Sequence, residues 1–239
     1  MDQINRIRKV SIWIFFLPII VLNICLFISV NYPIFENTIF AVDSIGRTSF
    51  TIPYIDGGVS ISRTARTYPA YLIFKPGMII TAFLLIKYWM ANNTMAKAIN
   101  KTDKNYRFLF FGIASALFLI AHSIFLGIKF DYDLYKLFRR FILLSFIIFE
   151  LVAQALLVIT LFKIKNKISE IINKKILTLK IILVSILTAV ALASLPIVTS
   201  SGHTDFKHAL EWNYFVGIIT FYLLTFFFWK KKWAHTDLH

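Results

Sequence analysis

Residues 141–163 read FILLSFIIFELVAQALLVITLFK. The run is apolar from end to end except for Ser145, Glu150, Gln154 and Thr160, and it is bounded by Arg139-Arg140 and Lys163. A bilayer core about 30 Å thick takes about 20 apolar residues of helix, so this stretch is predicted to cross a membrane. Outward from it, five more stretches have the same character, giving spans of roughly 11–30, 70–93, 108–128, 141–163, 176–198 and 210–229. The 239 residues are therefore read as all-α, a polytopic membrane protein. Residues 1–239 form one integral membrane domain, a bundle of about six transmembrane helices with a long first outer loop, 31–69.

Composition agrees. Hydrophobic residues are 58% and aromatic residues 17%, above the range of soluble domains. The net charge of +14 raises nucleic acid as a partner, but the placement of the charge excludes it. The segments between odd and even spans divide unequally. Residues 1–10, 94–107, 164–175 and 230–239 carry 14 Lys/Arg against 4 acidic residues, and 31–69, 129–140 and 199–209 carry 8 against 6. An excess of basic residues on the cytoplasmic side is the positive-inside rule, so both termini are expected in the cytoplasm. The first span is expected to stay as an anchor, because its apolar run is longer than a signal sequence and no small-residue cleavage site follows it. One cysteine, Cys25, excludes an internal disulfide, a CxxC pair and a thiolate zinc site. The sequons at Asn92 and Asn100 fall on the cytoplasmic side and are expected to stay unglycosylated.

The first outer loop is too long and too patterned for a connector. Its first half, 35–50, mixes apolar and polar residues as an interfacial segment does. Its second half, 51–69, reads TIPYIDGGVSISRTARTYP. Asp56-Gly57-Gly58 signals a turn. Arg63 and Arg66 are three apart, so one helical turn would put both guanidinium forks on one face. That face suits a phosphate or carboxylate, with Ser60 and Ser62 among the extra donors; a general basic loop pairing with Asp56 or with headgroups is the alternative. Beyond the loop, Lys75-Pro76-Gly77 reads either as a helix boundary with a snorkelling lysine or as a kink.

Polar residues inside spans are costly and therefore informative. Glu150 and Gln154 share a face of the fourth span, and His122 lies in the third. Counted from the middle of each predicted span, His122 and Glu150 lie about 6 Å and about 3 Å towards the outside. A His122–Glu150 pair is therefore expected, either fastening two helices or acting as base and carboxylate in proton transfer. Asn23 is at similar height. Glu211 and Trp212 open the sixth span, just after His203, Asp205 and His208. The spacing of those histidines and carboxylates fits no metal signature, and no cofactor motif is present. The polar groups gather beneath the loop, as in a cavity opening outward or sideways.

The run Pro53-Tyr54-Ile55-Asp56, then Ser60-Ile61-Ser62 and Pro69 with Ile73-Phe74, resembles the proline–tyrosine–isoleucine–serine loop and the later phenylalanine element of the DRAM/Sfk-type family, relatives of the post-GPI-attachment lipid-remodelling factors. His208-Ala209-Leu210-Glu211-Trp212 is similar to that family's opening of its last helix. The chain departs from the pattern at Asp56-Gly57-Gly58, at Ala70-Tyr71 and at Trp229-Lys230. The resemblance implies lipid-linked work at the outer leaflet. The expected function is recognition, with or without remodelling, of a phospholipid or lipid-anchored molecule. Arg63 and Arg66 would take a phosphate, with Asp56, Ser60 and Ser62 beside them, His122 and Glu150 would form the buried pair, and Glu211 with Trp212 the rim. Acyl transfer or ester hydrolysis is the natural reaction class, but no side-chain nucleophile stands out, so catalysis is left open. A non-catalytic scaffold or regulator with a protein partner, and a proton-coupled transporter using Glu150, are the other readings.

Overall fold

The computed structural model describes residues 2–35, 38, 50–101, 105–128, 132–200 and 202–230. Most of the 35–50 half of the first loop, read as interfacial, lies outside the described residues, which there include Phe35, Thr38 and Phe50; Thr102 of the second sequon lies outside them too. Eight helices follow in order: α1 (Asp2–Val30), α2 (Pro53–Asp56), α3 (Ile61–Ala65), α4 (Ala70–Asn100), α5 (Arg107–Phe125), α6 (Asp133–Ile164), α7 (Lys174–Thr199) and α8 (Thr204–Phe228). Six of them are long and apolar enough to cross a membrane. The described residues contain no strand beyond an isolated bridge between Ile172 and Trp229.

Five of the six helices outrun the predicted spans at one or both ends, since charged flanks end the apolar run without ending the helix. α6 gains eight residues at its start, down to Asp133, and α1 runs back to Asp2. α5 instead stops early, at Phe125, with Leu126 extended and Gly127 at φ 85.

The bundle has two ends. At one, the start of α1 meets α8 and α4: Arg8 Nε donates to the Phe226 carbonyl at 3.2 Å and Gln3 to the Ala91 carbonyl at 3.1 Å. At the other sit α2 and α3, the described part of the first loop, packed on α1 and α8. α4 continues through Pro76 as one helix, so Lys75-Pro76-Gly77 is neither a boundary nor a break. Gly77 is where α1 approaches, because a Cβ there would overlap the Val21 side chain. Such small residues let membrane helices pack where lipid gives no hydrophobic drive. Lys75 extends over the Tyr71 ring, 5.4 Å from its centroid, one turn towards the loop end.

The packed centre is aromatic. Tyr88 and Trp89 on α4 meet Tyr222 on α8 edge-on, at 4.9 and 6.4 Å between centroids. Outward faces are apolar too, with Phe16, Phe27, Phe83 and Ile186 exposed. A helix apolar on every side is suited to lipid.

Candidate functional site

The loop is built before the site is. Asp56 spends its carboxylate on its own segment. It accepts from Thr51 Oγ1 at 2.7 and 2.9 Å, from the Ile52 N–H at 3.0 Å and from the Gly58 N–H at 2.8 Å. Gly57 then caps α2 at φ 62, and a Cβ there would overlap the Asp205 backbone carbonyl. Only glycine combines that left-handed backbone with so close an approach. Ser60 caps α3, accepting from the Arg63 N–H at 3.2 Å. Asp56 and Ser60, expected as ligand contacts, thus shape the loop.

α8 clamps this loop to the bundle. His208 Nδ1 bonds the Gly57 carbonyl at 2.9 Å, buried Trp212 donates to the Val59 carbonyl at 2.9 Å, and Asn213 donates to the Tyr54 carbonyl at 2.7 Å. The Glu211 carboxylate faces the backbone N–H groups of Ile61 and Ser62 at the start of α3. The Tyr54 hydroxyl accepts from Asn23 on α1 at 3.3 Å. Trp212 is therefore a fastening inside the fold, and Glu211 both fastens the loop and lines the cavity below it.

That cavity has a volume of about 460 Å³, within the usual range of ligand sites. Its walls are apolar side chains such as Leu22, Phe74, Met78, Leu119, Phe146 and Ile219. Ser62, His208 and Glu211 lie on its wall nearest the loop, with His122 and Tyr214 further polar lining. Leu144 and Ile148 on α6 and Leu195 on α7 line it as well, yet are 52, 55 and 58% exposed. The α6 and α7 side of the cavity is therefore its least covered side.

The expected His122–Glu150 pair does not form. No hydrogen bond joins them; His122 meets the Phe74 ring edge-on at 6.3 Å and has no hydrogen-bond partner among the described residues. Glu150, 1% exposed, accepts from Ser115 Oγ on α5 at 2.6 Å, from Gln154 at 3.0 Å and from the Tyr222 hydroxyl on α8. The reason is register. From the midpoints of the observed helices, His122 lies about 9 Å towards the loop end and Glu150 about 2 Å towards the other. Ser115, two turns before His122, is the α5 residue at the carboxylate's height. Both residues still border one cavity, His122 on its side and Glu150 at its floor.

Arg63 and Arg66 do share a turn, and a third arginine joins them. The Arg66 backbone packs against Gly127 at the end of α5. The same α5 end receives the Tyr135 hydroxyl, which donates to the Phe125 carbonyl at 3.0 Å, and the Phe138 ring, 5.3 Å from that of Phe125. Arg139 follows on α6. Burial, and then the neighbouring charges of Arg63 and Arg139, hold the Arg66 guanidinium below its ordinary pKa. Among the described residues no carboxylate pairs with any of the three arginines.

A second polar group escaped the sequence reading. Lys180 on α7 is fully buried, donates to Thr225 Oγ1 at 2.7 Å, and lies 3.8 Å over the Phe221 ring. Thr225 also bonds the Tyr88 hydroxyl at 3.0 Å and donates to the Phe221 carbonyl at 2.9 Å. The sequence shows Lys180 inside a predicted span but gives no sign of its partners. Ser115 and Tyr222 gave no signal, being ordinary residues of apolar helices.

Among the described residues no group of three or more His, Cys, Asp or Glu could hold a metal ion. None of their serine, threonine or cysteine side chains is hydrogen-bonded to a histidine. Of the serine and threonine hydroxyls lining the cavity, Ser62 pairs with Ser60 at 3.4 Å, Thr81 donates to the Gly77 carbonyl at 2.9 Å and Ser194 to the Ala191 carbonyl at 3.0 Å. The cavity is mainly apolar, and none of the three arginines lines it; Ser62, the neighbour of Arg63, does. No protein-family model, curated protein or solved structure matches the chain.

Proposed function

We propose that this integral membrane protein recognises a lipid or a lipid-anchored molecule, taking its apolar chain sideways from the bilayer into the cavity beneath the first loop. What supports this is an apolar cavity of about 460 Å³ whose Leu144, Ile148 and Leu195 are more than half exposed, which this reading takes as its mouth to the bilayer. A water-soluble solute would have to cross hydrocarbon to use such an opening. Arg63 and Arg66 hold the headgroup at the loop end. The excess of basic residues on the other side puts that end outside and both termini in the cytoplasm, so the ligand comes from the outer leaflet. This reading agrees with what the resemblance to the DRAM/Sfk-type family implies.

Binding, rather than chemistry, is the activity this reading assigns, since no nucleophile is poised beside a base. Native mass spectrometry of the protein released from nanodiscs tests it. Wild-type protein is expected to carry a bound lipid. Arg63→Lys/Arg66→Lys should lose it almost as fully as the double alanine variant, because lysine keeps charge and loses the fork. Equal lipid retention by wild type and double alanine variant would remove the headgroup site.

A further inference from the structure

The two arginines of the loop leave the third unexplained. Arg139 belongs to α6, far from Arg63 and Arg66 in sequence. It is brought beside them by the end of α5, against which both the Arg66 backbone and the turn of α6 holding Tyr135 and Phe138 are packed. The Arg139 guanidinium lies 5.7 Å over the ring of Tyr135, the side chain that reaches the Phe125 carbonyl, so it stands at the same α5 end as Arg66 and shares its sign of charge. In most proteins carboxylates interleave such a cluster; here, among the described residues, none pairs with it. The link to the cavity runs through α3, where Ser62, the neighbour of Arg63, lines it.

Charge distinguishes among anionic groups. A zwitterionic phosphodiester brings one negative charge and one positive, and its amine would enter a site already crowded with cations. A phosphomonoester carries about −1.5 to −2 charges near neutral pH and offers three acceptor oxygens. Forked guanidinium donors from two directions match a group with several terminal oxygens. Resting on the lipid-binding reading above, we infer that Arg63, Arg66 and Arg139 together form a site for a phosphomonoester, the headgroup of a lipid phosphate whose chain occupies the adjoining cavity. In this arrangement the anion bridges the loop and the α5–α6 hairpin, which makes Arg139 a specificity residue for the same ligand.

Purified full-length protein in nanodiscs of phosphatidylcholine provides the test, with phosphatidic acid, further phosphatidylcholine or inorganic phosphate added and bound species counted by native mass spectrometry. Wild type should retain phosphatidic acid over phosphatidylcholine by at least about tenfold, the ratio that one charge-assisted hydrogen bond supplies. Arg139→Gln, at a partly exposed position where folding is undemanding, should abolish that preference while phosphatidylcholine is still retained. Ser194→Phe, which narrows the cavity, should reduce retention of both lipids; Met78→Phe fills the same space from α4 should the first variant fold poorly. An unchanged preference in Arg139→Gln, or equal retention of the two lipids by wild type, would overturn the phosphomonoester site and leave the lipid-binding reading intact. Lipid retention indifferent to both cavity variants would overturn the lipid-binding reading and this inference with it. Inorganic phosphate held by wild type and lost in Arg139→Gln, with wild type retaining the two lipids equally, would keep the three-arginine cluster as an anion site and overturn its assignment to a lipid.

Discussion

Trp212, in the third turn of the last span, donates its indole N–H to the Val59 carbonyl at 2.9 Å while its ring meets that of Tyr54 edge-on at 4.9 Å. One side chain thus holds α2 and the start of α3 at once, and the roof of the cavity depends on it. Trp212→Phe keeps an aromatic ring and removes the donor. It is expected to cost about 1–3 kcal/mol, from a lost buried hydrogen bond and a smaller ring. Thermal melts in detergent and protease sensitivity within residues 50–69 would measure this. An unchanged melt and an equally resistant loop would show that the indole bond is dispensable.

Gly57 tests the same clamp from the loop side. Gly57→Ala puts a side chain on a left-handed backbone, at about 1 kcal/mol or more, and drives it into the Asp205 carbonyl. The loop should detach from α8 before the bundle melts. Protease resistance equal to wild type in this variant would refute the close packing of α2 on α8.

Glu150 is a junction of three helices, which changes what its substitution should do. Glu150→Gln replaces one of two acceptor oxygens by an N–H₂ group, aimed at donors from Ser115, Gln154 or Tyr222. Leaving a buried donor facing a donor costs about 1–3 kcal/mol, more than the average of about 0.6 kcal/mol for a hydrogen bond between membrane helices. A lowered melting temperature with lipid still bound is expected. An unchanged melting temperature with lipid lost would assign Glu150 to the ligand instead.

Lys180 and Thr225 should behave unequally. Lys180→Met removes the buried amine along with its need for a partner, and such apolar replacements are commonly neutral or stabilising. Thr225→Val leaves the Lys180 nitrogen buried without its oxygen acceptor and also strands the Tyr88 hydroxyl, at about 1–3 kcal/mol. Chemical denaturation of the two variants would rank them. If Lys180→Met proved the more damaging, the lysine would have a role beyond packing.

The six spans were legible because lipid imposes a length and a composition that apolar runs display openly. The loop was legible in part: Asp56-Gly57-Gly58 is a turn, and Arg63 and Arg66 do share one. The His122–Glu150 pairing failed because apolar runs locate a helix only to within a turn or two. α6 begins at Asp133 rather than near 141 and α5 ends at Phe125 rather than near 128, which offsets the two residues by about 11 Å. Arg139 was hidden by its neighbour Arg140, since two adjacent arginines at the foot of a span read as a flank. Which of them turns towards Arg66 is decided by how α6 packs on α5, and that is a property of the folded bundle.

Sidedness rests on charge and is tested separately. Single cysteines at Ser44 and at Ser169, in a Cys25→Ala background, would be probed with an impermeant thiol reagent on intact cells. Labelling at Ser44 and protection at Ser169 are expected. The reverse would invert the bundle and place the cavity in the inner leaflet.

The central claim is that a lipid chain enters the cavity through the opening between α6 and α7. Photocrosslinking with a phospholipid carrying a diazirine near its chain end, followed by peptide mapping, tests it most directly. Adducts are expected on Met78, Leu119 and Ile219, which line the cavity, and on Leu144 and Leu195 at its mouth. Labelling confined to lipid-facing residues such as Phe83 and Ile186, with Met78, Leu119 and Ile219 untouched, would contradict it.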